Sequence, residues 1–474
     1  MEELIKNNYL CFLKSALSKD NNHSSINSVL DWIAHQNKQV EVSVTKICFK
    51  ELKLWSFDKK IIEHSSKSFF NIEGLNIKTN WGSLTNWHQP IINQPEIGYL
   101  GFITKNINGI LHFLSQAKVE PGNVNYVQIS PTIQATKSNY TQIHKGSKPK
   151  YLEYFQNVKP HQVLLDQLQS EQGARFLKKR NRNIIIKLKE DEKITLYDNF
   201  IWLSLFQLKE LMKYDNIVNM DTRTVLSGIS FGDFDNQGLD QYNLIKSKER
   251  KFGSDFLRSS FYSSNTFNSL ESIISKITDI KCNYYLNITK IPLNKLNNWK
   301  ISESEISHID KKYFKIIAVD VKIGNREVTN WTQPMIEPSH QGLCVFICKT
   351  INEILHFAVQ LKLECGNLDI VEMAPTVQTL TGNYKTTKKG DLPFLDYVLN
   401  VAPQQVVFDT LQSEEGGRFY KEQNRNMIII ADDISSELPE NYVWLTLNQL
   451  NGFLKFNNYV NIQARNLISG IQYV

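Results

Sequence analysis

The chain contains the same run of motifs twice, in the same order. Thr85-Asn86-Trp87-His88-Gln89-Pro90 returns as Thr329-Asn330-Trp331-Thr332-Gln333-Pro334, 244 residues later. At the same shift Ile110-Leu111-His112-Phe113 meets Ile354-Leu355-His356-Phe357, and Glu120-Pro121-Gly122-Asn123 meets Glu364-Cys365-Gly366-Asn367. Pro131-Thr132-Ile133-Gln134, with Asn139-Tyr140 behind it, meets Pro375-Thr376-Val377-Gln378 with Asn383-Tyr384. After a one-residue slip, Gln169-Ser170-Glu171-Gln172-Gly173-Ala174-Arg175-Phe176 aligns with Gln412-Ser413-Glu414-Glu415-Gly416-Gly417-Arg418-Phe419, and Asn181-Arg182-Asn183 with Asn424-Arg425-Asn426. So many ordered matches exclude chance, and the period is far too long for a solenoid, so the unit repeated is a whole domain. The 474 residues divide into a first repeat at 1–231, a polar tract at 232–263 that reads as a linker or surface insertion, and a second repeat at 264–474.

Each repeat follows one plan. Residues 27–36 and 266–276 predict opening helices, the second with Thr266 or Asn268 as its N-cap. Residues 97–104 and 110–118 flank Asn108-Gly109 and predict a β-hairpin, since Asn-Gly supplies the two positive-φ positions of a tight turn. The second repeat keeps both strands, at 343–350 and 354–362, but has Asn352-Glu353 at the turn. Further strands are predicted at 124–129, 368–373, 184–186 and 427–430. A helix is predicted from Pro160 and from Pro403, on the spacing of Val163, Leu164 and Leu168. The fold class is α+β, a mixed or antiparallel sheet beside a few helices, present in duplicate.

Composition narrows the function. Charged residues are 22% and hydrophobic ones 41%, which suits a globular chain, and a net charge of +6 spread over this length argues against a nucleic-acid partner. The six cysteines are scattered with no C-x-x-C, so neither a zinc site nor a disulfide framework is indicated; Cys344 and Cys348 share one face of a strand. The start lacks a cleavable apolar signal and no apolar run is long enough to span a membrane, so a cytoplasmic location is expected. Neither a dinucleotide fingerprint, a P-loop, H-E-x-x-H nor G-x-S-x-G occurs, and no metal or redox cofactor is expected.

Two motifs carry most of the chemistry. Trp-x-Gln-Pro is either a buried tryptophan ahead of a turn or an aromatic platform with an amide donor for a base or sugar ring. Gln-Ser-Glu-x-Gly-x-Arg-Phe with Asn-Arg-Asn is either a corner held by Glu–Arg pairs or an anion site, because Arg175, Arg182, Arg418 and Arg425 can each take a diphosphate bidentately. His112 and His356 read as core histidines bonded to backbone or as catalytic bases, while Tyr140 and Tyr384 follow a strand end, in loops where functional residues gather.

Taken together these motifs resemble the NDP-hexose 2,3-dehydratase family of deoxysugar biosynthesis, over nearly the whole chain. The resemblance implies tandem Nudix-like domains, a homodimer, two nucleotide-sugar pockets per subunit and no cofactor; the chain lacks the Nudix box whose carboxylates hold magnesium. The implied substrate is a dTDP-4-keto-6-deoxy-hexose, converted to a 3,4-diketo-2,6-dideoxy sugar nucleotide, with a 3-ketoreductase as downstream partner. The alternative is a nucleotide-sugar binding module or isomerase on the same double domain. The candidate acids and bases are Tyr140 and His144 in the first repeat, and Tyr384, Glu372 and His356 in the second. The binding candidates are Trp87, Gln89, Thr132, Gln134, Asn139, Arg175 and Arg182, answered by Trp331, Gln333, Thr376, Gln378, Asn383, Arg418, Asn424 and Arg425. The copies diverge at Gln128/Glu372, His144/Lys388 and Gln172/Glu415, which suits one reacting pocket and one that only binds.

Overall fold

A computed structural model describes residues 2–19, 24–140, 148–231, 251–261, 265–324, 329–380 and 392–473. The first repeat opens with helices α1 (Glu2–Ala16) and α2 (Ile26–Lys38), then strands β1 (Val42–Ile47), β2 (Trp55–Phe57), β3 (Ile62–His64), β4 (Asn71–Thr79) and β5 (Asn86–Asn93). The hairpin β6 (Gly98–Ile107) and β7 (Ile110–Val119) follows, with β8 (Val127–Ser130), β9 (Ile133–Ala135), α3 (Lys137–Tyr140) and α4 (Leu152–Gln156). β10 (Val163–Ser170), β11 (Arg180–Lys187), β12 (Phe200–Ser204), α5 (Leu205–Leu211) and α6 (Met220–Ser227) complete it. The second repeat begins with α7 (Lys251–Phe261), α8 (Leu270–Asn283), β13 (Leu286–Ile291), β14 (Trp299–Ile301), β15 (Glu305–His308), β16 (Phe314–Ile323) and β17 (Asn330–Pro338). It continues through β18 (Gly342–Ile351), β19 (Ile354–Lys362), β20 (Glu372–Ala374), β21 (Val377–Thr379), α9 (Leu395–Leu399), β22 (Val406–Ser413), β23 (Gln423–Ile430), β24 (Tyr442–Thr446), α10 (Leu447–Leu454) and α11 (Ile462–Ser469).

Among the described residues each repeat forms a seven-stranded sheet of its own, and two five-stranded sheets are shared between the repeats. The larger sheets are mixed, since β11 runs parallel to β6, and β23 to β18, among otherwise antiparallel neighbours. The smaller sheets trade strands: β1 of the first repeat pairs antiparallel with β16 of the second, Val42 opposite Ile323, and β13 of the second pairs with β4 of the first. Helices α6 and α11 pack against each other where the repeats meet, and Arg223 and Arg465 reach across: Arg223 Nη2 donates to the Ser413 carbonyl at 2.6 Å, and Arg465 Nη2 to that of Ser170. One hydrophobic core runs through both repeats, from Phe12, Phe102 and Phe113 to Phe346 and Phe357. Among the described residues no helix is long and apolar enough to cross a membrane.

Three expectations are corrected. The predicted helix after Pro160 is one 3₁₀ turn, Pro160–Gln162, followed by strand β10, and Pro403–Gln405 leads into β22 in the same way. The apolar spacing there also fits a strand, and pairing decides: Leu165 meets Ile185 while Asp166 faces outward beside Arg182. The opening helix of the second repeat is capped by Ser269, whose Oγ accepts the Ser272 N–H, rather than by Thr266 or Asn268. The tract read as a linker contains α7, which does for the second repeat what α1 does for the first. Ser259 Oγ donates to the Leu355 carbonyl as Ser15 Oγ does to that of Leu111, both at 2.6 Å. The Asn352-Glu353 turn keeps the left-handed geometry of Asn108-Gly109, at φ 51° and 66° against 52° and 79°.

Candidate functional site

The site is assembled by two reciprocal dockings of one loop on another. The second repeat's turn at Glu364–Asn367 lies on the first repeat's loop at Gly173–Lys178: Gly366 N–H donates to the Gly173 carbonyl, and Lys178 N–H to that of Gly366, each at 2.7 Å. The mirror contact joins Gly122 to Gly416 and Lys421, again at 2.7 Å. Glycine is demanded here by closeness rather than torsion. A Cβ on Gly366 would lie 1.8 Å from the Phe176 carbonyl oxygen, and one on Gly122 would lie 1.7 Å from that of Phe419. The effect is to bring a glutamate from one repeat beside an arginine from the other.

Between them lies a cavity of about 440 Å³, within the range of small-molecule sites. One wall is the first repeat's Trp87, His88, Gln89 and Arg175; the other is the second repeat's Trp299, Tyr313, Phe314, Lys362, Glu364 and Gln378. Trp87 Nε1 donates to Gln89 Oε1 at 3.0 Å, and Gln89 Nε2 to the Ala174 carbonyl at 3.0 Å, so the tryptophan is tied to the arginine loop. Arg175 lies 4.1 Å over the Phe314 ring and donates to the Ala174 carbonyl, while its Nε has no hydrogen-bond partner among the described residues. Burial lowers its pKa, with Glu422, Glu364 and Glu414 opposing. Gln378 holds Glu364 by an Nε2–Oε1 bond of 2.8 Å and is itself held by Asn461 Nδ2 at 2.7 Å. Burial raises the Glu364 carboxyl above its usual range against the pull of Lys362 and Arg175, and lowers Lys362. His88 Nδ1 accepts the Asn297 N–H at 3.0 Å, which puts the proton of its neutral ring on Nε2. Arg175 and Lys362 make the cavity a place for an anion, and the indole beside them offers a flat face.

The twin arrangement repeats much of this framework. Trp331 Nε1 donates to Gln333 Oε1 at 2.8 Å, Gln333 Nε2 to the Gly417 carbonyl at 2.7 Å, and Arg418 lies 4.2 Å over Phe70. Gln134 Nε2 donates to Glu120 Oε1 at 2.8 Å. The differences are chemical: Thr332 replaces His88, Phe69 replaces Tyr313, and Glu415 replaces Gln172. Glu415 is raised by burial and by the nearby charge of Glu120.

The predicted residues scatter. Trp87, Gln89, Arg175 and Gln378 line the cavity, and Trp331, Gln333, Gln134 and Arg418 hold the matching positions of the twin framework. Arg182 and Arg425 face outward in bidentate pairs with Asp166 and Asp409, Arg182 Nε–Oδ1 being 2.7 Å and Arg425 Nε–Oδ1 2.8 Å. Thr132 and Thr376 are buried stitches whose Oγ1 atoms accept the Ile103 and Ile347 N–H groups. Asn424 bridges the Gly342 N–H and Glu414. His356 is corrected to a core residue: its Nδ1 meets the Ile354 carbonyl and its Nε2 accepts the Phe267 N–H, so neither nitrogen is left for a substrate. Glu372 is a buried carboxyl that accepts Ser170 Oγ at 2.8 Å where the repeats meet, away from the cavity walls. Tyr140 packs against Tyr99, ring centroids 5.5 Å apart, and also stands away from those walls. His144, Tyr384 and Asn383 lie outside the described residues, as does the side chain of Asn139.

Sequence reasoning missed Lys362, Glu364, Trp299 and Phe314. A signal was present, because Lys118-x-Glu120 and Lys362-x-Glu364 recur in both copies directly before the Gly-Asn turn. Among the described residues no group of three or more His, Cys, Asp or Glu side chains could hold a metal ion.

Fold and site together define a tandem α+β protein with a composite, cation-lined cavity between its repeats. The chain belongs to the NDP-hexose 2,3-dehydratase family, whose model matches residues 26–229 and 270–471. It is 42% identical over 469 residues to a dTDP-4-dehydro-6-deoxy-α-D-glucopyranose 2,3-dehydratase of Saccharopolyspora spinosa, covering 98% of this chain and 95% of that one. It is 37% identical to proteins of the same name from Amycolatopsis orientalis (96% and 92% covered) and Streptomyces violaceoruber (93% and 96%).

Proposed function

We propose that this chain removes water from a dTDP-4-keto-6-deoxy-hexose, taking the C3 proton and the C2 hydroxyl. The observation that carries this reading is the cavity with Trp87 and Arg175 on one wall and Lys362 and Glu364 on the other, in a chain whose relatives are named for that reaction. The chemistry follows from the substrate. The C4 ketone acidifies the C3 proton, a cation near the C4 oxygen stabilises the enolate, and the enolate expels the hydroxyl from C2. The C3 enol that results becomes a 3,4-diketo-2,6-dideoxy sugar. The ketone is the electron sink, so the elimination asks for no cofactor. Arg175 suits the diphosphate, with its fork of donors, and Trp87 with Gln89 suits a base or sugar ring.

Further parts of the reading are a Nudix-like ancestry for each repeat (1–231 and 264–474), a homodimer in the cytoplasm, and a 3-ketoreductase that consumes the unstable product. Tyr384 stays a candidate acid on its place in the sequence, behind Pro375-Thr376-Val377-Gln378. The test is incubation with dTDP-4-keto-6-deoxyglucose, a 3-ketoreductase and NADPH. Mass spectrometry of the trapped product must show loss of the C2 oxygen; a product that keeps it, beside tight dTDP-sugar binding, would make the chain a binding module instead.

A further inference from the structure

The dehydratase reading leaves open which group moves the protons, and we propose that Glu364 does, in the cavity shared with Arg175 and Lys362. This inference rests on that reading.

Glu364 is the one carboxyl among the described residues that line the cavity. It is held rather than loose: Asn461 fixes Gln378, and Gln378 fixes Oε1. No side chain among the described residues hydrogen-bonds its Oε2, and the backbone N–H of Gly173, in the other repeat's arginine loop, bonds to the carboxyl and favours its charged form. The other protonable groups of the lining are His88, His308, Cys365, Tyr313 and Lys362. His88 Nδ1 and His308 Nδ1 each accept a backbone N–H, and burial pushes the Cys365 thiol up to about 12.

The flanking cations complete the arrangement. Lys362 and Glu364 sit two residues apart, a spacing that favours one face of an extended chain, and each feels the other's charge. A carboxylate so placed takes the C3 proton. The C3–H electron pair becomes the C3=C4 bond of the enolate, whose oxygen faces a cation. The enolate then re-forms the C4 carbonyl, the C2=C3 bond forms, and the C2–O bond breaks as Glu364 returns its proton to the leaving hydroxyl. Water departs, Glu364 is again a carboxylate, and the enol ketonises with a solvent proton at C2. One carboxyl serves both steps if hydrogen and hydroxyl leave from the same face. Burial holds the group nearer neutrality than a solvated glutamate, which suits both halves of such a transfer.

The experiment is Glu364→Gln against the matched twin Glu120→Gln, in the full-length protein. Both are assayed by the coupled turnover described above and by dTDP titration. Glu364→Gln should lower kcat about 100-fold or more while dTDP affinity stays within about threefold, and Glu120→Gln should cost less than about tenfold. Glu364→Asp, which keeps the acid but shortens its reach, should recover part of the loss. More than a tenth of wild-type kcat in Glu364→Gln, or an equal or larger loss in Glu120→Gln, overturns the assignment. If Glu364→Gln does not fold, Glu364→Asp decides alone: a tenfold or larger loss of kcat at unchanged dTDP affinity supports it, and wild-type kcat overturns it. A wild-type protein that never releases the C2 oxygen sinks the parent reading, whereas a dehydrating wild type beside an equally active Glu364→Gln sinks only this one.

Discussion

Replacing Gly366 by alanine tests the docking on which the cavity depends. The added Cβ would stand 1.8 Å from the Phe176 carbonyl oxygen and 2.5 Å from that of Gly173. Non-bonded heavy atoms rest at about 3.5 Å, so the turn and the loop must part by more than an ångström. Two hydrogen bonds of 2.7 Å, from Gly366 and from Lys178, are then stretched or lost. Each buried group left unpaired costs about 1–3 kcal/mol, and overpacking adds about 1–3 kcal/mol, so the change should destabilise the protein by roughly 3–9 kcal/mol. Torsion contributes nothing, since Gly366 is not among the positive-φ glycines. The functional loss should exceed the loss of stability, because the displaced loop carries Arg175 while the displaced turn carries Glu364. Thermal and urea unfolding would measure the first, and dTDP titration at a temperature where the variant is folded the second. Gly324→Ala is the control, with nothing within 4 Å of its Cβ and an expected effect within about 0.5 kcal/mol. A Gly366→Ala protein that melts with the control and binds dTDP normally would refute the argument.

Other expectations can be checked alongside. The Glu372 carboxyl is raised from 4.5 to about 7, chiefly by burial, so the folded state holds a proton that the unfolded chain releases. The contribution of this group to stability should therefore be fully present below the lower value and be lost, by on the order of 3 kcal/mol, as pH rises towards neutrality. Glu372→Gln, the amide found at Gln128, should flatten that slope in melts between pH 5 and 8; an unchanged slope would count against it. Arg175→Lys keeps the charge but loses the fork, and should weaken dTDP binding about tenfold or more by calorimetry, whereas Arg182→Ala, on a surface pair with Asp166, should leave it within about threefold. Residues 1–231 expressed alone lack β13, the partner of β4, and should aggregate or self-associate in light scattering. A folded monomer of that fragment would contradict the prediction.

The duplication, the hairpins and most strands were legible because they depend on short-range chemistry. Asn108-Gly109 names its own turn, and Asn352-Glu353 was readable only through its twin. The strand after Pro160 was not legible, since Val163, Leu164 and Leu168 fit either period and only the partner β11 separates them. The arginines at 175 and 182 looked alike in sequence, yet one is buried on Phe314 and the other faces outward on Asp166. That difference is tertiary. Glu364 escaped for the same reason: its surroundings come from Gln378, Asn461 and the other repeat's Gly173 loop, which no local pattern joins. The strand exchange was invisible because β1 and β13 carry the same alternation whichever β4-like strand they join.

The exchange and the reciprocal glycine contacts point to one physical reason for keeping two copies in a single chain. Each arginine loop finds its glutamate turn in the other repeat, so a lone repeat holds only half of the cavity and half of its twin framework. Two identical chains paired in this way would carry the same residue at both frameworks, and any change would alter the two together. Fusion removes that constraint. His88 can face Thr332, Tyr313 can face Phe69, and Gln172 can face Glu415, while the Trp–Gln–carbonyl tie and the Gln–Glu bond that shape each site stay the same. The shared parts are those on which docking and folding depend, and the divergent parts lie at or beside the cavity walls. Divergence confined in that way is what two sites with different tasks on one scaffold require.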